Sequence, residues 1–254
     1  MPSLFRSRSK ASPQVVEPVP NTFPKIAGAE IAADFLGQWV AGDFYDAIRV
    51  TPERVLFGML DVAGRRDENR GILQAAQETF RRVGAELFSQ SDINESEAMT
   101  GLSHNLNLSI IDASHGVHSC PAFIGCYHEK FGTLCYTNAG HTPGLFRDST
   151  GVSELVSTGL PLGLFSHVTS DAPIVGVEKG AVVLLVSRGV IECGSAHNKS
   201  EEEFGLDRVK QLLQSAPAGG AQSVCAFVLD AIGKFSAGVP VCDDRTALAL
   251  IRTP

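Results

Sequence analysis

Residues 57–64 read Phe57-Gly-Met-Leu-Asp61-Val-Ala-Gly64, a short, mostly apolar run that ends in a carboxylate and a turn of small residues. This pattern is typical of a buried strand that delivers an aspartate at its end, with Gly64 available to bend the chain away. A buried carboxylate is costly unless it meets a cation, a metal ion or several hydrogen-bond donors. The stretch therefore predicts a functional carboxylate at the end of a core strand. The simpler alternative is that Asp61 only caps a turn.

Two other acidic stretches lie next to predicted strands. Ala41-Gly-Asp43-Phe-Tyr-Asp46 precedes the first stretch, and Cys242-Asp243-Asp244-Arg-Thr246 precedes the apolar strand 247–251. Taken alone, each stretch is better explained by a turn than by a metal site. If the three stretches converge, they form a cluster of hard oxygen ligands, which suits Mg²⁺ or Mn²⁺.

The composition indicates one cytoplasmic domain. With 254 residues, 44% of them hydrophobic, the chain can bury a sizeable core, which we assign to residues 21–254 after a flexible leader at 1–20. A net charge of −7 argues against nucleic acid or an anionic membrane as partner. No apolar run approaches the roughly 20 residues that span a bilayer. The six cysteines form no C-x-x-C pair, which favours buried, reduced thiols.

The order of the predicted elements favours an α+β domain. Alternating or continuous apolar runs predict strands at 29–35, 44–50, 54–61, 120–127, 133–137, 144–146, 153–156, 182–186 and 247–251. Apolar residues spaced three and four apart predict helices at 72–88, 95–111, 206–213 and 221–235. The polar residues 188–204 predict an exposed loop. Because strands and helices come in blocks, a layered sandwich is favoured over a doubly wound parallel sheet.

Five motifs in a fixed order resemble one bacterial family. They are Gly42-Asp43-Phe-Tyr-Asp46, Asp61-Val-Ala-Gly64, Asn138-Ala-Gly-His-Thr-Pro143, Gly159-Leu-Pro-Leu-Gly163 and Asp243-Asp244-Arg-Thr246. The set resembles the sporulation stage II E type of bacterial serine phosphatases, which are metal-dependent (type 2C, PPM) protein phosphatases. The resemblance implies a four-layer α-β-β-α sandwich, in which two packed antiparallel sheets are flanked by helices and the metal site lies at one edge.

The resemblance also implies a chemistry and a set of site residues. In the family, two Mn²⁺ or Mg²⁺ ions, roughly 3.5–4 Å apart, activate a water that attacks a phosphoserine or phosphothreonine. The bridging carboxylate corresponds to Asp61, with the Val62 carbonyl as a further ligand. Asp243 corresponds to a second-metal ligand, and Asp43 to a carboxylate that acts through metal-bound water. The implied partner is a phosphoprotein such as an anti-sigma-factor antagonist, and a homo-oligomer is left open.

Two positions depart from the family pattern. After the first aspartate the family usually reads Gly-His-Gly, whereas this chain has Gly64-Arg65-Arg66; the central strand usually ends Thr-Asp-Gly, whereas this chain has Ser187-Arg188-Gly189. The second change replaces a metal ligand by a guanidinium, which cannot coordinate a metal ion. We therefore expect the strand before Arg188 to lie beside the strands that carry Asp61 and Asp243, with one metal position empty or weak.

Two functions follow, and the sequence leaves both open. In the first, the chain is an enzyme, a protein serine/threonine phosphatase in which Glu192, Asp244 or an acid among residues 201–203 replaces the missing ligand. In the second, it is a pseudophosphatase that binds a phosphoprotein without turnover. Its phosphate-binding patch would then consist of Arg188, Arg65 and Arg66.

Overall fold

The strands of this protein form two five-stranded sheets. The computed structural model describes residues 23–36, 42–65, 68–116, 118–167, 170–195, 202–237, 239 and 243–253, so the leader predicted at 1–20 lies outside it. Its strands are β1 (Ala29–Leu36), β2 (Gly42–Thr51), β3 (Arg54–Val62), β4 (Ala122–His128), β5 (Thr133–Ala139), β6 (Gly144–Asp148), β7 (Gly151–Leu155), β8 (Ile174–Gly176), β9 (Val182–Val186) and β10 (Arg245–Arg252).

Each sheet is antiparallel throughout. The first sheet has the order β1-β10-β9-β6-β7, and the second has the order β2-β3-β4-β5-β8. The apolar strand β9 lies in the middle of the first sheet, and all five of its residues are buried. The hairpin of β2 and β3 forms one side of the second sheet and carries two of the three acidic stretches.

The helices follow the apolar periodicity of the sequence. They are α1 (Arg70–Leu87), α2 (Glu95–Ser114), the one-turn α3 (Arg188–Ile191), α4 (Leu206–Ser215) and α5 (Ala221–Phe235). Asn94 caps the N-terminus of α2, and its side chain accepts hydrogen bonds from the backbone N–H groups of Ser96 and Glu97. An asparagine in this place satisfies donors that the first helical turn leaves unpaired.

Three clusters of buried side chains hold the layers together. One lies between α1, α2 and the second sheet, with Phe80 and Met99 among its members. Another lies between α4, α5 and the first sheet, where Val228 packs. The third lies between the two sheets and includes Phe57 and Tyr127, both fully buried. The predicted four-layer α-β-β-α sandwich is therefore confirmed.

Three local predictions were wrong. The strand β8 was not predicted, because its three residues at the edge of a sheet are too few to show a period. Residues 188–204 are not simply an exposed loop, because α3 begins at Arg188 and both Val190 and Phe204 are buried. Residues 196–201 lie outside the described ranges. Strand β2 begins at Gly42, two residues before the predicted start, so Asp43 lies in the strand and not in a turn before it.

The helices and the cysteines also bear on the predictions for membrane spans and thiols. Among the described residues, no helix has both the length and the apolar character needed to cross a membrane. The five cysteines within the described ranges, Cys120, Cys126, Cys135, Cys193 and Cys225, are buried and unpaired, as predicted; Cys242 lies outside these ranges.

Candidate active site

Two carboxylates meet across the hairpin of β2 and β3. Asp43 lies directly opposite Asp61 in the strand register, and both are buried, with 1% and 4% of their surfaces exposed. The backbone N–H of Asp61 donates to the carbonyl of Pro121 at 2.9 Å, which fixes the end of β3. The next pair in the register is Gly42 and Val62, where a Cβ on the glycine would lie 2.2 Å from the Val62 carbonyl oxygen. Only glycine permits this close approach of the two strands, which lies one register pair away from Asp43 and Asp61.

The first sheet reaches the same carboxylates through a network of hydroxyl groups. Thr246, near the start of β10, donates from Oγ1 to Asp43 Oδ2 at 2.6 Å. Ser187 Oγ accepts from the backbone N–H of Thr246 at 3.0 Å and donates to the Asp244 carbonyl at 3.1 Å. The contact with Asp43 therefore joins the two sheets at this end of the sandwich. Ser187 was not among the predicted site residues, although its place beside Arg188 was a signal.

The guanidinium of Arg188 lies among three acidic side chains. Its Nε is 3.8 Å from Asp61 Oδ2 and 3.7 Å from Glu192 Oε2, and its Nη2 is 3.5 Å from Asp243 Oδ2. The expected placement of its strand was half right. Strand β9 pairs with β10, which follows Asp243, but β3 belongs to the other sheet. Arg188 therefore approaches Asp61 across the gap between the sheets and not along a shared ladder.

Burial and mutual repulsion dominate the electrostatics of the site. Burial raises the pKa of Asp61 to about 6; the charge of Arg188 and a hydrogen bond from its backbone oppose this rise, and the charge of Asp243 adds to it. Burial also raises the pKa of Asp43 well above its usual range, as does the charge of Asp61, while hydrogen bonds from Thr246 and Ser187 oppose the rise. A positive charge placed between the two carboxyl groups would therefore stabilise their ionised forms.

The turn after Asp61 is held by two side chains that were not among the predicted site residues. The Ala63 carbonyl accepts a hydrogen bond from His118 Nε2 at 2.9 Å and another from Asn69 Nδ2 at 2.9 Å. Asn69 is buried and precedes α1 directly, so the turn is tied to the first helix as well as to the segment before β4. Neither residue belongs to a recognisable spacing pattern, and only the folded chain brings them to Ala63.

The motif at residues 138–143 forms a closed loop against the end of β9. The side chain of Asn138, fully buried, accepts from the backbone N–H of His141 at 2.9 Å and donates to the Leu155 carbonyl at 3.2 Å. Thr142 donates from Oγ1 to the carbonyl of Val186, the last residue of β9. The loop thus packs just before Ser187 and Arg188 and supports the strand end that carries them.

The remaining predicted site residues have different surroundings. Asp244 is fully buried, whereas the side chain of Glu192 is 54% exposed and lies beside Arg188. Arg65 is exposed, and its carbonyl accepts hydrogen bonds from the backbone N–H groups of Glu68 and Asn69. Arg66 and Glu201 lie outside the described residues.

The donor set does not fit the two divalent ions that the resemblance implies. Asp61 and Asp243, both expected as ligands, lie within ion-pair distance of Arg188. Within the described ranges, no group of three or more His, Cys, Asp or Glu side chains is arranged to hold a metal ion. Arg188 offers only N–H donors and keeps its proton, so it occupies space beside these carboxylates without replacing a ligand.

Comparison with known proteins identifies relatives over most of the chain. A sequence model of the family "Stage II sporulation protein E (SpoIIE)" matches residues 51–253. The phosphoserine phosphatase RsbU of Bacillus subtilis (strain 168) is 25% identical over 218 residues, which cover 84% of this chain and 60% of RsbU. The chain thus spans less than two thirds of this curated relative.

Solved structures share the fold. The SiaA-PP2C domain of Pseudomonas aeruginosa superposes with a TM-score of 0.69 at 15% identity, covering 87% of this chain and 84% of that one. The catalytic domain of the serine/threonine protein phosphatase PstP, solved with two manganese ions, gives a TM-score of 0.62 at 10% identity, covering 89% and 99%. At such low identities the likeness establishes the architecture alone.

Proposed function

This chain belongs to the stage II sporulation protein E family, and from that membership we propose that it is a protein serine/threonine phosphatase domain. The observation that carries the proposal is the convergence of Asp43, Asp61 and Asp243 from both sheets at one end of the sandwich. The relatives named phosphoserine phosphatases support a phosphoserine or phosphothreonine side chain of a regulatory protein as substrate.

The residues present support the recognition of a phosphate group. The side chain of Arg188 is 46% exposed, so part of its guanidinium faces solvent while the rest faces Asp61 and Asp243. A guanidinium binds phosphate oxygens through charge-assisted, often paired hydrogen bonds. Arg188 would hold the phosphate at the mouth of the site, and the buried carboxylates would lie behind it. We retain Asp61, the Val62 carbonyl, Asp243 and Asp43 as the proposed ligands for a single Mn²⁺ or Mg²⁺ ion beside Arg188.

A second candidate function is favoured by the same arginine. Because Arg188 stands where the family resemblance implies a metal ligand, the domain would bind a phosphoprotein and release it unchanged. Phosphoryl transfer needs concentrated positive charge around the transferred group, and one guanidinium supplies less of it than two divalent ions. The two candidates share the phosphate site and differ only in turnover.

Turnover measurements separate the two candidates. The purified chain is assayed with p-nitrophenyl phosphate and with a phosphoserine peptide, each with Mn²⁺ and with Mg²⁺ over a range of concentrations. The phosphatase proposal predicts metal-dependent release of phosphate that is lost in Asp61→Asn, a variant that keeps the size of the side chain but removes its charge. If the chain binds the phosphopeptide but releases no phosphate under all of these conditions, the second candidate is supported instead.

We further propose that the domain works in the cytoplasm. The buried, unpaired thiols within the described ranges, such as Cys126 and Cys135 on neighbouring strands, support a reducing compartment. Expression in the native host followed by fractionation would test the location.

A further inference from the structure

Arg188 has the place and the charge of a bound cation. Its guanidinium lies 3.5–3.8 Å from oxygens of Asp61, Asp243 and Glu192, which come from β3, from the segment before β10 and from the end of α3. Asp61 and Asp243 are the residues for which the family resemblance implies metal coordination. A single positive group therefore faces the same carboxylates that would surround an ion.

The backbone fixes this placement. The N–H of Ser187 donates to the Thr246 carbonyl at 3.0 Å, and the Ser187 hydroxyl makes two further hydrogen bonds to the segment Asp244–Thr246. At Gly189, a Cβ would lie 2.1 Å from the Asp244 carbonyl oxygen, so the two segments are in direct contact. Arg188 sits between these anchors. Contacts on both sides therefore hold the Arg188 backbone beside the segment that carries Asp243.

We propose that Arg188 is a resident cation that takes one of the two metal positions implied by the fold. The domain then binds at most one divalent ion at this site, and the site keeps its structure when no metal is bound. The inference deepens the proposed function, on which it rests for the identity of the site as a phosphate site. It assigns to the guanidinium the task of one ion, namely to neutralise Asp61 and Asp243 and to contact the phosphate.

Two effects of the same sign support the lower ion count. An arginine in place of an aspartate removes one ligand, and ion affinity at oxygen sites depends on the charge and number of ligands. The exchange also changes the local charge by two units toward positive, which repels a divalent ion. When no metal is bound, Arg188 stabilises the site. Its positive charge relieves the repulsion between Asp61 and Asp243, which a metal ion would otherwise have to relieve.

Titration with Mn²⁺ alone tests the proposal. The chelator-treated parent, Arg188→Asp and Arg188→Gln are compared by isothermal titration, and their thermal unfolding is followed with Mn²⁺ and with chelator. Lys179→Asp is the matched control. It makes the same charge change at an exposed residue three positions before β9, at the other end of that strand from Arg188.

The parent is expected to bind at most one Mn²⁺, and Mn²⁺ should raise its unfolding temperature less than it raises that of Arg188→Asp. Arg188→Asp should bind an additional ion, or the same ion at least about tenfold more tightly, as expected for an added carboxylate ligand. Its unfolding temperature should rise when Mn²⁺ is added. Lys179→Asp should behave like the parent. Arg188→Gln removes the positive charge without adding a carboxylate and should bind Mn²⁺ more tightly than the parent.

Two tight ions in the parent, with no gain in Arg188→Asp and Arg188→Gln, would overturn the proposal. If Arg188→Asp does not fold, as judged by circular dichroism, the comparison between the parent and Arg188→Gln decides. The outcome is separate from that of the phosphatase assay. A parent with two ions and turnover refutes the resident cation alone, whereas a parent with at most one ion and no turnover refutes the phosphatase alone.

Discussion

Acidification should destabilise this domain through His141. The imidazole is 5% exposed, and its Nδ1 lies 3.0 Å from the Thr142 carbonyl oxygen. Because a carbonyl only accepts hydrogen bonds, Nδ1 carries the proton, and in the neutral ring Nε2 is an acceptor. Among the described residues, Nε2 has no hydrogen-bond partner. Burial lowers the pKa of His141 from 6.5 to about 4, against the opposing effect of the Thr142 carbonyl.

The sign and size of the effect follow from this shift. A group whose pKa is depressed by folding contributes stability that is fully present above its unfolded pKa and is lost as the pH falls toward the folded pKa. For His141 this window runs from pH 6.5 down to about 4. At about 1.36 kcal/mol per pKa unit, the whole shift corresponds to about 3 kcal/mol, of which about 2 kcal/mol is lost by about pH 5.

Urea unfolding of the parent, His141→Gln and His141→Leu at about pH 7.5 and about pH 5 measures the effect. The parent should lose about 2 kcal/mol more free energy of unfolding between these pH values than either variant loses. Asp43 and Asp61, whose pKa values are raised by burial, contribute with the opposite sign, since their stabilisation is present at low pH and lost as the pH rises. All three proteins contain both aspartates, so this contribution cancels in the comparison.

Equal losses in the parent and in both variants would refute the reasoning, because they would mean that His141 accepts a proton in the folded state as readily as in the unfolded chain. A larger loss in the variants would also refute it. The comparison holds only where the dependence on urea has the same slope in all three proteins.

Two further substitutions test buried contacts, one at the end of β3 remote from Asp61 and one beside Arg188. Arg54→Leu removes a guanidinium that is 2.6 Å from Glu95, and the two side chains are only 6% and 10% exposed. The unpaired, buried carboxylate should lower the free energy of unfolding in urea by about 3–5 kcal/mol. A loss under about 1 kcal/mol would contradict the burial argument. Gly189→Ala places a Cβ 2.1 Å from the Asp244 carbonyl oxygen, so it should lower the free energy of unfolding by about 1–3 kcal/mol and also lower phosphatase activity. Gly176→Ala is the control: nothing lies within 4 Å of its new Cβ, and neither stability nor activity should change.

Most of the fold could be predicted from the sequence because its signals are local. The apolar run of β9, the alternation in β1 and the three- and four-residue spacing of α1 each depend on neighbouring residues alone. The missed features had no such signal. Strand β8 has only three residues, and α3 has only four, so neither completes enough of a period to be recognised.

The site residues divide in the same way. Asp43, Asp61 and Asp243 could be named in advance because each stands at the end or start of a recognisable strand, and the order of the motifs supplied the family. The clamp of His118 and Asn69 on the Ala63 carbonyl could not, because the histidine lies 55 residues from Ala63 and no spacing pattern links the two.

The sequence by itself determined that carboxylates lie near the ends of the core strands, and the family resemblance implied that Arg188 stands at the position of a metal ligand. Only the tertiary structure decided what that arginine meets. Arg188 and Asp61 belong to different sheets, and no ladder register relates them. Their separation of 3.8 Å follows from the packing of one sheet on the other and from the contacts of Ser187 and Gly189 with the start of β10. Strand pairing is encoded in local patterns, whereas the distance between groups on two packed sheets depends on every side chain between them.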